Sequence, residues 1–364
     1  MIDMKWYKSV RRITFLYVTI ILVFGCEEHS TEPKELGEVS SSSESEAWNS
    51  LFIQNTGWFG GDGIFGIPLD GKEFIAATDS TETLFTFSDT MIGHHDGKVL
   101  LSENFRMVNN SLAILKGNQP IRDNINFYWK KTDKGEAIAL FKPETPNSEP
   151  DHYYWLGDGF VNVEGDGKLY IFAYPIRNKK ISDPNGFNFE QIGVNLLVID
   201  LDSPAPYHKH LQIPTPFFDL STQTTFGSAI YVNTESAGAP NPDGYVYVYA
   251  VSNQLGVKGL LVSRVPSADF LNFEHWRFWN GDSWVAQMSE AKFVASDVSN
   301  EMSVSPLSDG RILLTYQRFT MGPEVAVQIG SSLVGPFKEA QVVYQAPEFN
   351  FKNSYFTYNA KAFP

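Results

Sequence analysis

The sequence predicts an all-β fold, a five-bladed β-propeller with four-stranded antiparallel blades, from three observations. A motif consisting of an acid, an alternating strand and an Asp-Gly turn recurs along the chain. Each copy is followed by three further strand-like runs. The composition is rich in strand formers, with 28 Phe, 16 Tyr and 8 Trp, and in turn residues, with 28 Gly and 20 Pro. No stretch carries a sustained helical period with caps at both ends.

The motif opens at Gly60-Gly61-Asp62-Gly63-Ile64-Phe65-Gly66-Ile67-Pro68-Leu69-Asp70-Gly71. It returns at Gly157-Asp158-Gly159-Phe160-Val161-Asn162-Val163 before Asp166-Gly167, and at Glu301-Met302-Ser303-Val304-Ser305 before Asp309-Gly310. In all three copies the acid stands 8 residues ahead of the turn aspartate. A further copy, Phe226-Gly227-Ser228-Ala229-Ile230-Tyr231-Val232, reaches Asp243-Gly244 after an insertion and lacks the acid.

Second strands follow at Leu84–Phe87, Leu169–Phe172, Val246–Tyr249 and Ile312–Thr315. Third strands follow at Ser111–Leu115, Asn195–Ile199, Gly259–Ser263 and Val325–Ile329. Weaker fourth strands, suited to sheet edges, lie at Asn126–Trp129, His210–Ile213, His275–Trp279 and Gln341–Tyr344. Four strands per repeat in up-and-down order is the propeller signature. A fifth unit opens at Tyr355–Lys361 and stops at Pro364. Either the segment near Leu51-Phe52-Ile53 completes that sheet, or the chain is C-terminally truncated and its fifth blade incomplete. Truncation is the preferred reading, because an unfinished sheet leaves open edges that invite aggregation.

Before the repeats, residues 1–25 read as an export signal. Lys5, Lys8, Arg11 and Arg12 precede an apolar run, Ile13 to Gly25, that is shorter than the ~20 residues a spanning helix needs. The run ends in Leu22-Val23-Phe24-Gly25-Cys26, which has the form of a bacterial lipobox with Cys26 as the lipidated residue. Cys26 is the only cysteine, so no disulfide can form within the chain. Residues 26–47 are rich in Ser and Glu and form a flexible tether, since they cannot bury enough surface to offset chain entropy. Residues 48–364 make one propeller domain. These features predict a monomeric lipoprotein of the cell envelope, held to a membrane through Cys26. The net charge is −14, and removing the first 25 residues, with their four basic groups and one acid, makes it −17. Such a chain repels phosphate backbones, which excludes nucleic acid as a partner.

The first strand of each blade lines the channel of a propeller, so Asp62, Asp158 and Glu301 should converge on one depression. Asp89 reaches the same rim, because Leu84–Ser88 runs antiparallel to the strand that Asp62 opens, and adjacent strands lie about 4.8 Å apart. Grouped carboxylates raise one another's pKa. One protonated and one ionised carboxyl group is the equipment of glycoside hydrolysis, and a polysaccharide or oligosaccharide is the partner this predicts. The competing reading makes each acid a turn cap bonded to backbone amides. Trp58 and Phe59 precede Asp62, and Tyr153, Tyr154 and Trp155 precede Asp158; Trp58 and Trp155 are candidate platforms for a sugar ring, though either could fill the core. Arg106, Asn109 and Asn110 are candidate hydroxyl partners, or simply a polar turn.

Other motifs carry less. Gly61-Asp62-Gly63-Ile64-Phe65-Gly66 fits a dinucleotide fingerprint in letters, but Pro68 and Asp70-Gly71 follow where a helix is required. His94-His95-Asp96 and His208-Lys209-His210 lack metal-site spacing. The chemistry calls for no cofactor and no catalytic metal, and structural calcium among channel carboxylates stays open.

Gly57–Gly63, Ile67-Pro68-Leu69, Leu84–Thr90 and Val108–Ser111 together resemble the opening blade of a group of bacterial five-bladed propellers. That group is catalogued as domains of unknown function and is related to endo-acting D-arabinofuranosidases. Phe226–Ala229 and Tyr358–Ala362 resemble its later first strands. The resemblance implies catalysis at Asp62 and Asp89, with Asp158 and Glu301 as supporting acid or pKa modulator, and an arabinofuranose-containing substrate. It also implies a His-Pro pair and a closing strand after Tyr358–Lys361, where this chain has Phe363-Pro364. The alternatives from other classes are a non-catalytic glycan-binding lipoprotein and a protein-interaction platform.

Overall fold

In a computed structural model, which describes residues 45–96, 102–179, 187–254, 256–349 and 356–363, the chain is almost entirely antiparallel sheet. These residues fall within the unit Pro33–Pro364; the signal, Cys26 and most of the tether lie outside the described residues.

Four successive sheets follow the predicted meander. The first runs Phe65–Pro68, Glu82–Phe87, Ser111–Lys116 and Ile125–Tyr128. The second runs Tyr153–Val161, Leu169–Asn178, Asn195–Ile199 and Leu211–Pro214. The third is led by Thr224–Asn233, Tyr245–Gln254, Val257–Pro266 and Arg277–Trp279, and the fourth by Met302–Pro306, Ile312–Gln317, Glu324–Gly330 and Gln341–Gln345. The first strands of consecutive sheets touch one another, so they form the inner wall.

Packing between sheets explains why the middle strands are so uniformly apolar. Leu169–Ile176 is buried on both faces, since one face meets Ile67, Leu84 and Leu112 of the first sheet and the other meets Phe226, Val246 and Val248 of the third. The third sheet packs on the fourth in the same way, with Tyr231, Tyr249 and Val262 against Met302, Leu314 and Tyr316. Each such side chain contributes about 1.5–3 kcal/mol by leaving water.

The segment near Leu51 behaves differently from its sequence reading as a strand. Glu46–Phe52 is a short helix that covers the free face of the first sheet; Leu51 is fully buried, and Phe52 lies edge-on to Phe85 and Phe127. A three-stranded extension, Thr56–Gly61, Thr90–His94 and Phe105–Val108, continues beyond the first sheet and was not foreseen. No fifth sheet is present among the described residues; instead Tyr358 makes a single antiparallel bridge to Met321.

Candidate active site

The acids are aimed by interruptions in the inner strands. Pairing slips between Leu156 and Gly159, and again between Phe226 and Ala229. In the first sheet the inner strand is broken between Gly61 and Phe65. A bulge leaves a residue out of the ladder and re-aims its side chain, and Asp62, Asp158 and Ser228 occupy these breaks.

Asp62 and Asp89 are cross-strand neighbours. The Asp62 N–H donates to the Asp89 carbonyl at 3.1 Å, and the Ser88 N–H donates to the Asp62 carbonyl at 2.8 Å. Oδ2 of Asp62 accepts the Tyr358 hydroxyl at 2.5 Å, while its Oδ1 is buried without a hydrogen-bond partner. Burial pushes Asp62 up to about 6; the Tyr358 bond opposes this, and the charges of Asp89 and Glu301 add to it. Asp89 is raised as well, by burial, against two hydrogen bonds that favour its ionised form. Those donors are Trp155 Nε1 at 2.9 Å and Asn109 Nδ2 at 3.2 Å, both on Oδ1. The half-buried Trp155 ring meets Phe189 edge-on at 4.7 Å and neighbours Tyr153.

Asp158 sits deeper. Its Oδ1 accepts the Gly159 N–H at 2.8 Å and its Oδ2 accepts the Ile230 N–H at 2.7 Å, tying the second sheet to the third. It keeps some surface exposure yet is packed round by protein, and burial lifts it to about 7; the Lys361 charge lowers it and Glu301 raises it. Glu301 is paired with Lys361. Below them lies a small cavity of about 50 Å³ lined by Phe65, Glu73, Asp158, Met302 and Lys361. Glu73 has a buried, unpartnered Oε1, and burial followed by the charge of Asp158 raises its pKa well above the usual range.

The four acids lie in one neighbourhood: Asp62 feels Asp89 and Glu301, and Asp158 feels Glu301. Trp155 and Asn109 join them through Asp89. Two sequence expectations need correction. Trp58 is 2% exposed, stacked on Phe127 at 4.5 Å and tilted against Phe87, so it fills the core and offers no face to a sugar. Asn110 is buried, donating to the carbonyls of Phe141 and Tyr154 and accepting the Phe141 N–H, which makes it a staple between segments. Arg106 stands on the extension in an exposed ion pair with Glu136. Glu73, Tyr358 and Lys361 were missed as members of the acid cluster. The only signal for the last two was the resemblance of Tyr358–Ala362 to a first strand, the position from which the other acids come. Among the described residues, no three His, Cys, Asp or Glu side chains gather in a way that could hold a metal ion.

With this geometry in view, comparison with known proteins gives a family. One family profile matches residues 45–364, which takes in every described residue. The chain belongs to that family, a domain of unknown function, DUF5005. This DUF5005 protein resembles in structure a "putative hydrolase" from Bacteroides ovatus, with TM-score 0.61 and 19% identity over 83% of this chain and 74% of that one. At that identity the likeness concerns the fold. Looser likenesses join it to an exo-β-1,3-galactanase from Phanerochaete chrysosporium (TM-score 0.39, 11% identity, 80% and 50% covered). They also join it to an endo-arabinase from Bacteroides thetaiotaomicron (TM-score 0.38, 12% identity, 77% and 84% covered). Neither of these two carries an inference about this chain. No match was found among curated proteins.

Proposed function

We propose that this DUF5005 protein is a glycoside hydrolase acting on a polysaccharide, with arabinofuranose-containing polymers as the first substrates to test. The observation that carries the reading is the pairing of Asp62 and Asp89 in unlike settings. Asp89 receives two N–H donors on one oxygen, which favours its ionised form. Asp62 is lifted to about 6 by burial, against the Tyr358 bond and with two negative neighbours adding to it, which favours its protonated form. Pairs of carboxyls whose surroundings push them apart in this way divide into acid and base.

In the proposed step the glycosidic C–O bond breaks, its electron pair goes to the leaving oxygen, and that oxygen takes the proton of Asp62. Asp89 either removes a proton from the water that adds to the anomeric carbon or attacks that carbon itself, and the configuration of the product distinguishes the two. Trp155 and Tyr153, half-buried beside Asp89, offer aromatic surface to a sugar ring. Asp158 and Glu301 set the local field. The fold proposed around this site is a five-bladed propeller in which Phe356–Phe363 takes the place of the fifth inner strand. The sequence Leu22–Cys26 supports attachment to the cell envelope through a lipid on Cys26.

The test is product release from arabinans, arabinogalactans and fructans, run beside Asp62→Asn. Oligosaccharides should appear with the parent and be lost by about a hundredfold or more in the variant, with the melting transition retained. A folded parent that binds one of these glycans and yields no product replaces the reading with a glycan-binding protein.

A further inference from the structure

The segment Phe356–Phe363 has no sheet of its own, yet it reaches two of the four acids. It is held at both ends. Thr357 accepts the Gly322 N–H at 3.1 Å and returns its hydroxyl to the Gly322 carbonyl at 2.6 Å. The Ala362 N–H donates to Ser303 Oγ at 2.8 Å, and Phe363 packs edge-on against Phe85. The segment thus bridges the fourth inner strand and the first sheet. Between these anchors Asn359 adopts φ +59°, a left-handed conformation uncommon outside glycine. Its position between Tyr358 and Lys361 lets the two side chains engage different partners, Asp62 and Glu301. Strained backbone held by firm anchors on either side is a feature of functional sites.

The two oxygens of Asp62 are in unlike settings. Oδ2 is occupied by the Tyr358 hydroxyl, and Oδ1 is buried with no partner. Burial and the charges of Asp62, Glu301 and Asp89 all raise the phenol, so it stays protonated and acts as the donor at any ordinary pH. Building on the hydrolase reading above, we propose that Tyr358 is a positioning residue: by donating to Oδ2 of Asp62 it fixes the orientation of that carboxyl group and favours its ionised form. The segment that supplies Tyr358 is then part of the reaction machinery.

The groups that bear on Asp62 are Asp89 across the strand pair, Glu301 ahead of the fourth sheet and Tyr358 itself. The Tyr358 hydroxyl lowers its pKa most and the Asp89 backbone lowers it less, so removing the hydroxyl must move Asp62 upward. The experiment is Tyr358→Phe in the intact chain labelled with ¹³C at aspartate carboxyls, with the Asp62 signal assigned by Asp62→Asn. The parent should titrate near 6, and the variant about one pH unit higher, the amount expected for a lost hydrogen bond to a carboxylate. On any glycan that the parent cleaves, the corresponding limb of the pH-rate profile should move by the same amount, while a merely structural role would lower the rate and leave the limb in place. An Asp62 midpoint that stays put in a folded Tyr358→Phe overturns the proposal without reference to activity. A midpoint that moves in Tyr358→Phe, where the parent cleaves no glycan, keeps the Tyr358–Asp62 link and overturns the hydrolase reading alone.

Discussion

Lys361 and Glu301 form an ion pair whose side chains are only 5% and 13% exposed, and the Lys361 ammonium also lies 4.1 Å from the centroid of the Phe65 ring. The pair sits beside Asp62 and Asp158, both of which burial lifts toward neutrality. Glu301 raises both Asp62 and Asp158, and Lys361 lowers Asp158. One buried cation therefore offsets a field that would otherwise be wholly negative, and it comes from the same short segment that supplies Tyr358.

Breaking that pair from one side should be costly. Lys361→Met leaves the Glu301 carboxylate buried without its partner and should destabilise the fold by about 3–5 kcal/mol. The double variant Lys361→Met with Glu301→Gln removes both charges and should recover most of the loss. Chemical denaturation of the four proteins gives the coupling energy; a value below about 0.5 kcal/mol would mean that the pair contributes nothing beyond its separate parts.

The strand order and most strand positions could be read from the repeats, because period-two alternation and Asp-Gly turns act locally. The expected strand Asn195–Ile199 coincides with the observed one, and the fourth strands differ from their expected bounds by only a residue or two. Side-chain direction was harder. Asn109 and Asn110 are adjacent in the bend between Phe105–Val108 and Ser111–Lys116, where the local pattern gives no side-chain direction: Asn109 turns to Asp89, and Asn110 turns into the core toward Phe141 and Tyr154. The local pattern leaves Trp58 open between sugar platform and core because it does not reveal that its strand stands apart from the first sheet at the break after Gly61 and pairs with Thr90–His94. Glu73 follows a turn and Lys361 ends a single inner-strand-like segment, so neither occupies the repeated acid position. Only packing between segments far apart in sequence brings them to it.

Asp158 gives a pH dependence with a defined sign. Its pKa rises from 3.8 in the unfolded chain to about 7 in the folded one. Between about pH 4 and 7 the unfolded chain has released this proton while the folded protein keeps it, so stability falls as pH rises through that window and levels off above it. Asp62, at about 6, adds to the fall over the lower part of the same window. Melting temperatures should drop by roughly 5 °C between pH 5 and pH 8. Asp158→Asn sets an amide NH₂ against one of two backbone donors and lowers stability at every pH by about 1–3 kcal/mol, but it should flatten the slope. A slope as steep in the variant as in the parent would remove Asp158 as its source.

Gly63 controls the geometry of the acid pair through Ser88. It has φ +62°, and a β-carbon there would stand 2.8 Å from Ser88 Oγ and 3.0 Å from Ser88 Cβ. Ser88 precedes Asp89, and its Oγ exchanges hydrogen bonds with the N–H and carbonyl of Leu156 at 3.0 and 3.3 Å, fastening the first sheet to the second. Gly63→Ala must displace Ser88 and with it Asp89. Gly167 provides the control: its φ is +70°, but no atom lies within 4 Å of the β-carbon position, so Gly167→Ala carries the same backbone cost without the displacement. Both variants should lose about 1 kcal/mol or more of stability, with Gly63→Ala losing the more. Turnover on any glycan the parent cleaves should fall by about tenfold or more in Gly63→Ala alone, because a shift near 1 Å in a reacting group costs up to a hundredfold. If the two variants lose turnover equally, the placement of Asp89 does not depend on the close contact between Gly63 and Ser88.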